Sequence, residues 1–141
     1  MTGPESIDAG VAHQIGRYAD AVRVPASYDQ IVVSGTPGLR PDGTVPESIA
    51  DEAAQAWHNI TDILARAGAT LTDIVSVRQW LVDPADIAPY VAVRSTLLTH
   101  EPASMLAVVP ALVRPTFRLE IEVVAALPPS CLLYTSDAAD E

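Results

Sequence analysis

The chain reads as an α+β domain of order ββαβαββ, with two helices packed on one face of a mixed sheet. Three observations predict it. Apolar residues recur at helical spacing in two separate stretches. Short β-branched or alternating runs flank those stretches on both sides. Gly- and Pro-rich punctuation stands between the elements, so the helices are interleaved with strands and not gathered at one end.

The elements follow in order. His13–Val24 alternates loosely, Pro25–Asp29 is a turn-like cluster, and Gln30–Ser34 is a β-branched run that stops at Gly35. Together they are expected to form a hairpin. Thr36–Pro46 contains Pro37, Gly38, Pro41, Asp42 and Gly43 and is read as loop. From Pro46 to Ala67, Ile49, Ala53, Ala56, Trp57, Ile60, Ile63, Leu64 and Ala67 make one apolar helical stripe. Thr44 with Glu47, or Ser48 with Asp51, would close a capping box at its start. Asp51 and Glu52 suit the positive end of its dipole, Arg66 the negative end, and Gly68 the left-handed stop.

Asp73–Val82 reads as a strand. The segment Asp83-Pro84-Ala85-Asp86 then opens a second helix with an N-cap aspartate and a proline at the first helical position. Ile87, Tyr90, Val91, Arg94, Leu97 and Leu98 keep helical spacing until Pro102 ends the run. Met105–Val109 and Phe117–Ala125 are the last strands. Each strand–helix–strand crossover should be right-handed.

At 141 residues the chain has room for one core, and 49% hydrophobic residues suffice to fill it. The net charge of −10 argues against nucleic acid and against an anionic membrane surface, since both require clustered cations. The basic residues are all arginine and scattered. One cysteine, Cys131, excludes an intrachain disulfide, and the start of the chain shows neither a basic segment nor an apolar run. The expectation is a cytoplasmic domain occupying residues 1–130. Residues 131–141 (CLLYTSDAADE) break from the preceding periodicity after Pro128-Pro129. They resemble a sequencing-adapter sequence translated in frame, and are expected to take no part in the fold.

Candidate chemistry concentrates on the last strand. Glu120 and Glu122 share a strand face with Arg118, because alternate residues point the same way. A carboxylate held in a cleft can orient or deprotonate water. The plainer alternative is a solvated face with an Arg118–Glu120 or Arg118–Glu122 ion pair. His13, His58 and His100 lack metal-ligand spacing, and no glycine-rich phosphate loop or nucleophile elbow is present, so neither metal nor cofactor is expected.

Four segments in order resemble the Rid family (reactive intermediate deaminases, YjgF-like). They are Ile15–Val22, Ile31–Gly35, Ala67–Val75 and Leu119–Glu122, and the resemblance covers roughly residues 14–127. It implies a homotrimer with small-molecule clefts between subunits. Sheet patterning agrees, since Met105–Val109 is apolar on both faces while helices can cover only one.

The resemblance also implies roles for particular residues. Glu120 would hold the attacking water, Tyr18 would line the cleft, and Ser34-Gly35 would form its wall. The family's usual arginine, which grips a substrate carboxylate, is replaced here by Ser104-Met105. Only a guanidinium offers the planar fork that such a grip uses. Losing it removes about 1.5–3 kcal/mol of charge-assisted bonding, roughly a 10- to 100-fold weakening. A family asparagine gives way to Val91, which makes the cleft less polar and favours a neutral or less polar ligand. Arg17, Arg78 and Arg114 are candidate substitutes, of which Arg78 on a strand is the most rigidly aimed. The expected activity is hydrolysis of an enamine, imine or related small metabolite through Glu120 and Tyr18. The alternative is a non-catalytic ligand-binding or regulatory trimer of the same fold.

Overall fold

The computed structural model describes residues 3–129; the expected tail at 131–141 lies outside them. Eight regular elements follow one another: β1 (Glu5–Ile7), β2 (Ala21–Arg23), β3 (Asp29–Pro37), α1 (Ile49–Arg66), β4 (Ile74–Leu81), α2 (Ile87–Leu97), β5 (Ala103–Val108) and β6 (Leu119–Leu127). The main sheet has the order β3-β6-β4-β5. β6 runs antiparallel to both β3 and β4, while β4 and β5 are parallel and joined by the α2 crossover. This is the expected α+β architecture, with one additional short strand at the N-terminal end.

α1 forms where its stripe predicts. Ala53, Ala56, Trp57, Ile60 and Leu64 are fully buried between helix and sheet. The Ser48 hydroxyl accepts the Asp51 N–H at 3.0 Å, so of the two possible caps the chain uses this one. Gly68 ends the helix at φ +80°, a conformation costly for any side chain with a Cβ. Across the core, Val77 and Leu81 of β4 and Leu119, Ile121, Val123 and Ala125 of β6 meet the helix. Among the described residues no helix covers the opposite sheet face: Val32 is 76% exposed and Met105 39%.

The expected N-terminal hairpin does not form. Ala12–Gln14 is a short 3₁₀ turn, and only Ala21–Arg23 is extended. β2 pairs with β1, not with β3. The Asp20 carboxylate accepts the N–H groups of Ala9 and Ala12 at 2.6 and 2.8 Å, closing the segment into a loop that interrupts a strand. The loose alternation from His13 is therefore a turn pattern. β3 also runs on to Pro37, pairing with β6 beyond the expected stop at Gly35.

Arg118 departs from expectation as well. Its backbone N–H and its Nε donate to the two carboxylate oxygens of Glu52, at 2.8 and 2.6 Å, and Nη2 donates to the Pro46 carbonyl at 2.7 Å. Glu52 is fully buried, so it is a clamp between α1 and the start of β6 and not simply a dipole partner. A carboxylate left alone at that depth would be costly, and this one has charge and hydrogen bonds satisfied together.

Candidate functional site

Two neighbourhoods contain the sequence-predicted residues. The first is a cavity of about 420 Å³ bounded by residues 15–18, one side of α2 and the edge strand β5. Tyr18, Ser104 and Met105 line it, together with Arg17, Arg94 and an apolar wall that includes Val91 and Leu98. Backbone pairing holds the 15–18 segment in place: the Ala19 N–H donates to the Pro102 carbonyl at 3.0 Å, and Ala19 bridges in parallel to Ala103. The same junction is tied by His13, whose ring nitrogens lie 3.2 Å from Glu101 and 3.3 Å from Asp8. The Glu101 hydrogen bond, and then the Asp8 charge, raise the His13 pKa above its ordinary value.

Gln79 organises the inner wall. It is fully buried, and its Oε1 accepts both the Tyr90 hydroxyl and Arg94 Nη1 at 2.6 Å. Its Nε2 donates to Ser104 Oγ at 3.1 Å and to the Met105 carbonyl at 2.8 Å. Every polar atom of the amide is thus used, as burial requires. The amide fixes α2 to β5 and leaves the Ser104 hydroxyl proton free for the cavity. Burial raises the Tyr90 pKa, so its phenol stays neutral and acts as the donor in this network.

The second neighbourhood is on the helix-free face and its β3 rim. Glu120 is half-buried on β6, in register with Trp80 on one side and Pro37 on the other. The β3–β6 register shifts between Val33 and Thr36, which places Ser34 and Gly35 in a bulge. The bulge brings Gly35 against Glu120. A Cβ at position 35 would lie 2.8 Å from Glu120 Oε2. Glycine is needed here for close approach, not for an unusual φ.

Glu120 therefore meets Gly35, with Ser34 beside it in the bulge, but not Tyr18, Ser104 and Met105. Between β6 and β5 lie two strand spacings, about 10 Å. Arg78 does not reach the cavity either: its side chain is 63% exposed and stands 4.0 Å from Glu122. Arg114 lies over the Phe117 ring at 5.6 Å. Of the three substitute arginines read from the sequence, Arg17 alone borders Ser104-Met105.

Sequence reasoning missed Arg94 and Gln79. Spacing alone makes Arg94 a member of the second helix's stripe and gives it no role. The available signal is a guanidinium at apolar spacing, four residues after Tyr90, where a half-buried cation needs a partner. Among the described residues, no group of three or more His, Cys, Asp or Glu could hold a metal ion, and no helix is long and apolar enough to cross a membrane.

Comparison with known proteins agrees with this fold. A family model described as Endoribonuclease L-PSP matches residues 10–127. The RutC family protein YjgH of Escherichia coli (strain K12) is 31% identical over 113 residues, covering 79% of this chain and 84% of its own. A rat protein named 2-iminobutanoate/2-iminopropanoate deaminase is 32% identical over 117 residues, covering 82% and 83%. In structure, a Yersinia pestis protein of unknown function from the conserved Rid protein family, YyfB, superposes with a TM-score of 0.76. That match covers 89% of this chain and all of the other at 24% identity, a likeness of fold.

Proposed function

This chain belongs to the Rid (YjgF-like) family, and from that premise we propose that it is a small-molecule hydrolase acting on C=N bonds at a site completed between copies of the chain. The observation that carries the proposal is the division of the site. The Tyr18–Ser104 cavity opens at the β5 edge, while Glu120 stands on the helix-free face toward β3. A homotrimer that buries that face would bring the Glu120 of one copy to the cavity of another. It would also cover Val32 and Met105, apolar side chains that the single chain leaves in water.

The chemistry then has named parts. Glu120 accepts a hydrogen bond from water and takes its proton as the oxygen adds to the imine carbon. The carbinolamine so formed loses ammonia as the C–N bond breaks, leaving a carbonyl; one imine and one water give one carbonyl compound and one ammonia. Tyr18, a cavity-lining donor with no partner among the described residues, would bond the nitrogen or the developing hydroxyl. The deaminase name of the rat relative supports this reaction class.

Ribonuclease action, which the family model's description names, is disfavoured by the net charge of −10 and by a cavity with too few cations to track a phosphate chain. The test is a coupled assay in which an amino-acid dehydratase releases a 2-imino acid and ammonia formation is followed. Catalysis above buffer that Glu120→Ala removes is expected. A rate at the buffer background would leave the non-catalytic ligand-binding trimer as the better reading.

A further inference from the structure

We propose that Arg17 and Arg94 together form an anion grip in the β5-edge cavity, replacing from the N-terminal segment and α2 the cation that Ser104-Met105 does not supply. The ligand would be a small carboxylate with an apolar body. The inference rests on the preceding reading only in taking this cavity as the ligand chamber.

Four observations carry it. Both guanidiniums line the same cavity, and no Asp or Glu is among its described lining residues, in a chain of net charge −10. Neither arginine has a carboxylate partner among the described residues. By contrast, Arg23, Arg66, Arg78 and Arg118 each pair with one. Each cavity arginine spends one nitrogen on an uncharged oxygen: Arg17 Nη2 on the Leu98 carbonyl at 3.3 Å, Arg94 Nη1 on Gln79 Oε1 at 2.6 Å. Their other N–H donors remain available. The Arg94 guanidinium is also braced over the Tyr90 ring at 5.8 Å, so it is aimed before any ligand arrives.

Ser104 and Tyr18 add hydroxyl donors to the same space, because Ser104 Oγ already accepts from Gln79. Two arginines, the hydroxyls of Tyr18, Ser95 and Ser104, and no carboxylate among the described lining residues make a donor-rich site suited to an anion. Ile87, Val91, Leu98 and Leu106 supply an apolar wall, and the volume of about 420 Å³ suits a compact ligand. The less polar cleft expected from Val91 thus describes the wall that meets the ligand's body, while its charge is met elsewhere.

The probes are 4-methylpentanoate and its neutral amide, neither of which can be hydrolysed as an imine, titrated by calorimetry into the full-length protein. The carboxylate should bind at least about 10-fold more tightly than the amide. Arg17→Gln and Arg94→Gln should each weaken the carboxylate about 10-fold and leave the amide unchanged. Arg94→Gln also disturbs the bond to Gln79, so Arg17→Gln, whose native side chain makes a single hydrogen bond, decides the matter if the former fails to fold. Equal affinity for the two probes, or carboxylate binding indifferent to Arg17→Gln, would overturn the proposal. Glu120→Gln separates this proposal from the catalytic one. Carboxylate binding kept in that variant upholds the grip whether or not hydrolysis occurs, and binding lost with Arg17→Gln alone marks the grip as the operative contact.

Discussion

Gly35→Ala is expected to displace the Glu120 carboxylate while sparing the fold. The new methyl would stand 2.8 Å from Glu120 Oε2, against an ordinary contact of 3.4 Å or more, so the carboxylate must retreat by about 0.6 Å. Position 35 has no positive φ, so alanine can adopt its backbone, and the residue lies in an exposed bulge. Stability should change little. A misplacement of 1 Å at a reacting group can cost about 100-fold, so a shift of this size should lower kcat about 10-fold with KM nearly unchanged. The assay is steady-state hydrolysis of a dehydratase-generated 2-imino acid. Glu120→Asp shortens the carboxylate arm and makes room for the methyl, so Gly35→Ala should cost far less when combined with Glu120→Asp than in the native chain. A kcat within twofold of wild type, or strict additivity of the two substitutions, would refute the contact as a positioning device.

Three further outcomes follow from the structure. Glu52→Ala removes the buried carboxylate that binds Arg118. Because Arg118 is 32% exposed and keeps its bond to Pro46, the loss should be about 3 kcal/mol, near the low end for a broken buried pair, and the melting temperature should fall by about 10 °C. A fall of less than about 3 °C would show the clamp to be dispensable. His13 faces Glu101, Asp8 and Asp20, which raise its pKa above 6.5. The resulting stabilisation is fully present below that value and fades as pH rises through the folded-state pKa. An NMR titration should find His13 above 6.5 and moved downward by Glu101→Gln; no response to that substitution would contradict the assignment. Gln79→Leu leaves the buried Tyr90 hydroxyl without its acceptor and frees β5 from α2, at a cost of about 2 kcal/mol measurable by urea denaturation. An unchanged midpoint would contradict the central place given to this amide.

The fold is legible in the sequence wherever periodicity is sustained. The α1 stripe, its Ser48 cap and its Gly68 stop, the Asp83-Pro84 opening of α2 and the alternating β6 all depend on local spacing, which a single chain displays. The N-terminal hairpin misleads because Asp20 closes a turn by capping Ala9 and Ala12, and carboxylate-to-backbone bonds leave no hydrophobic period. Arg118 escapes for a different reason. Its partner Glu52 lies on a separate element, and pairing across 66 residues has no signature in spacing. The candidate site divides in the same way. Tyr18 and Ser104 can be placed by motif, but Arg94 and Gln79 become visible only when α2 is laid on the sheet. The bulge at Ser34-Gly35, which sets Glu120 against glycine, likewise depends on register rather than on composition.

The most direct test of a shared site is complementation between two disabled variants. Tyr18→Phe and Glu120→Gln, each assayed alone for 2-imino acid hydrolysis, should be nearly inactive. If the site is shared between copies, unfolding and refolding them together in equal amounts gives mixed trimers. About a quarter of the clefts then combine an intact Tyr18 from one copy with an intact Glu120 from its neighbour. Recovery to about that fraction of wild-type activity is predicted. Activity that stays at the mean of the two variants, in mixed oligomers shown to have formed, would contradict a site completed between copies of the chain.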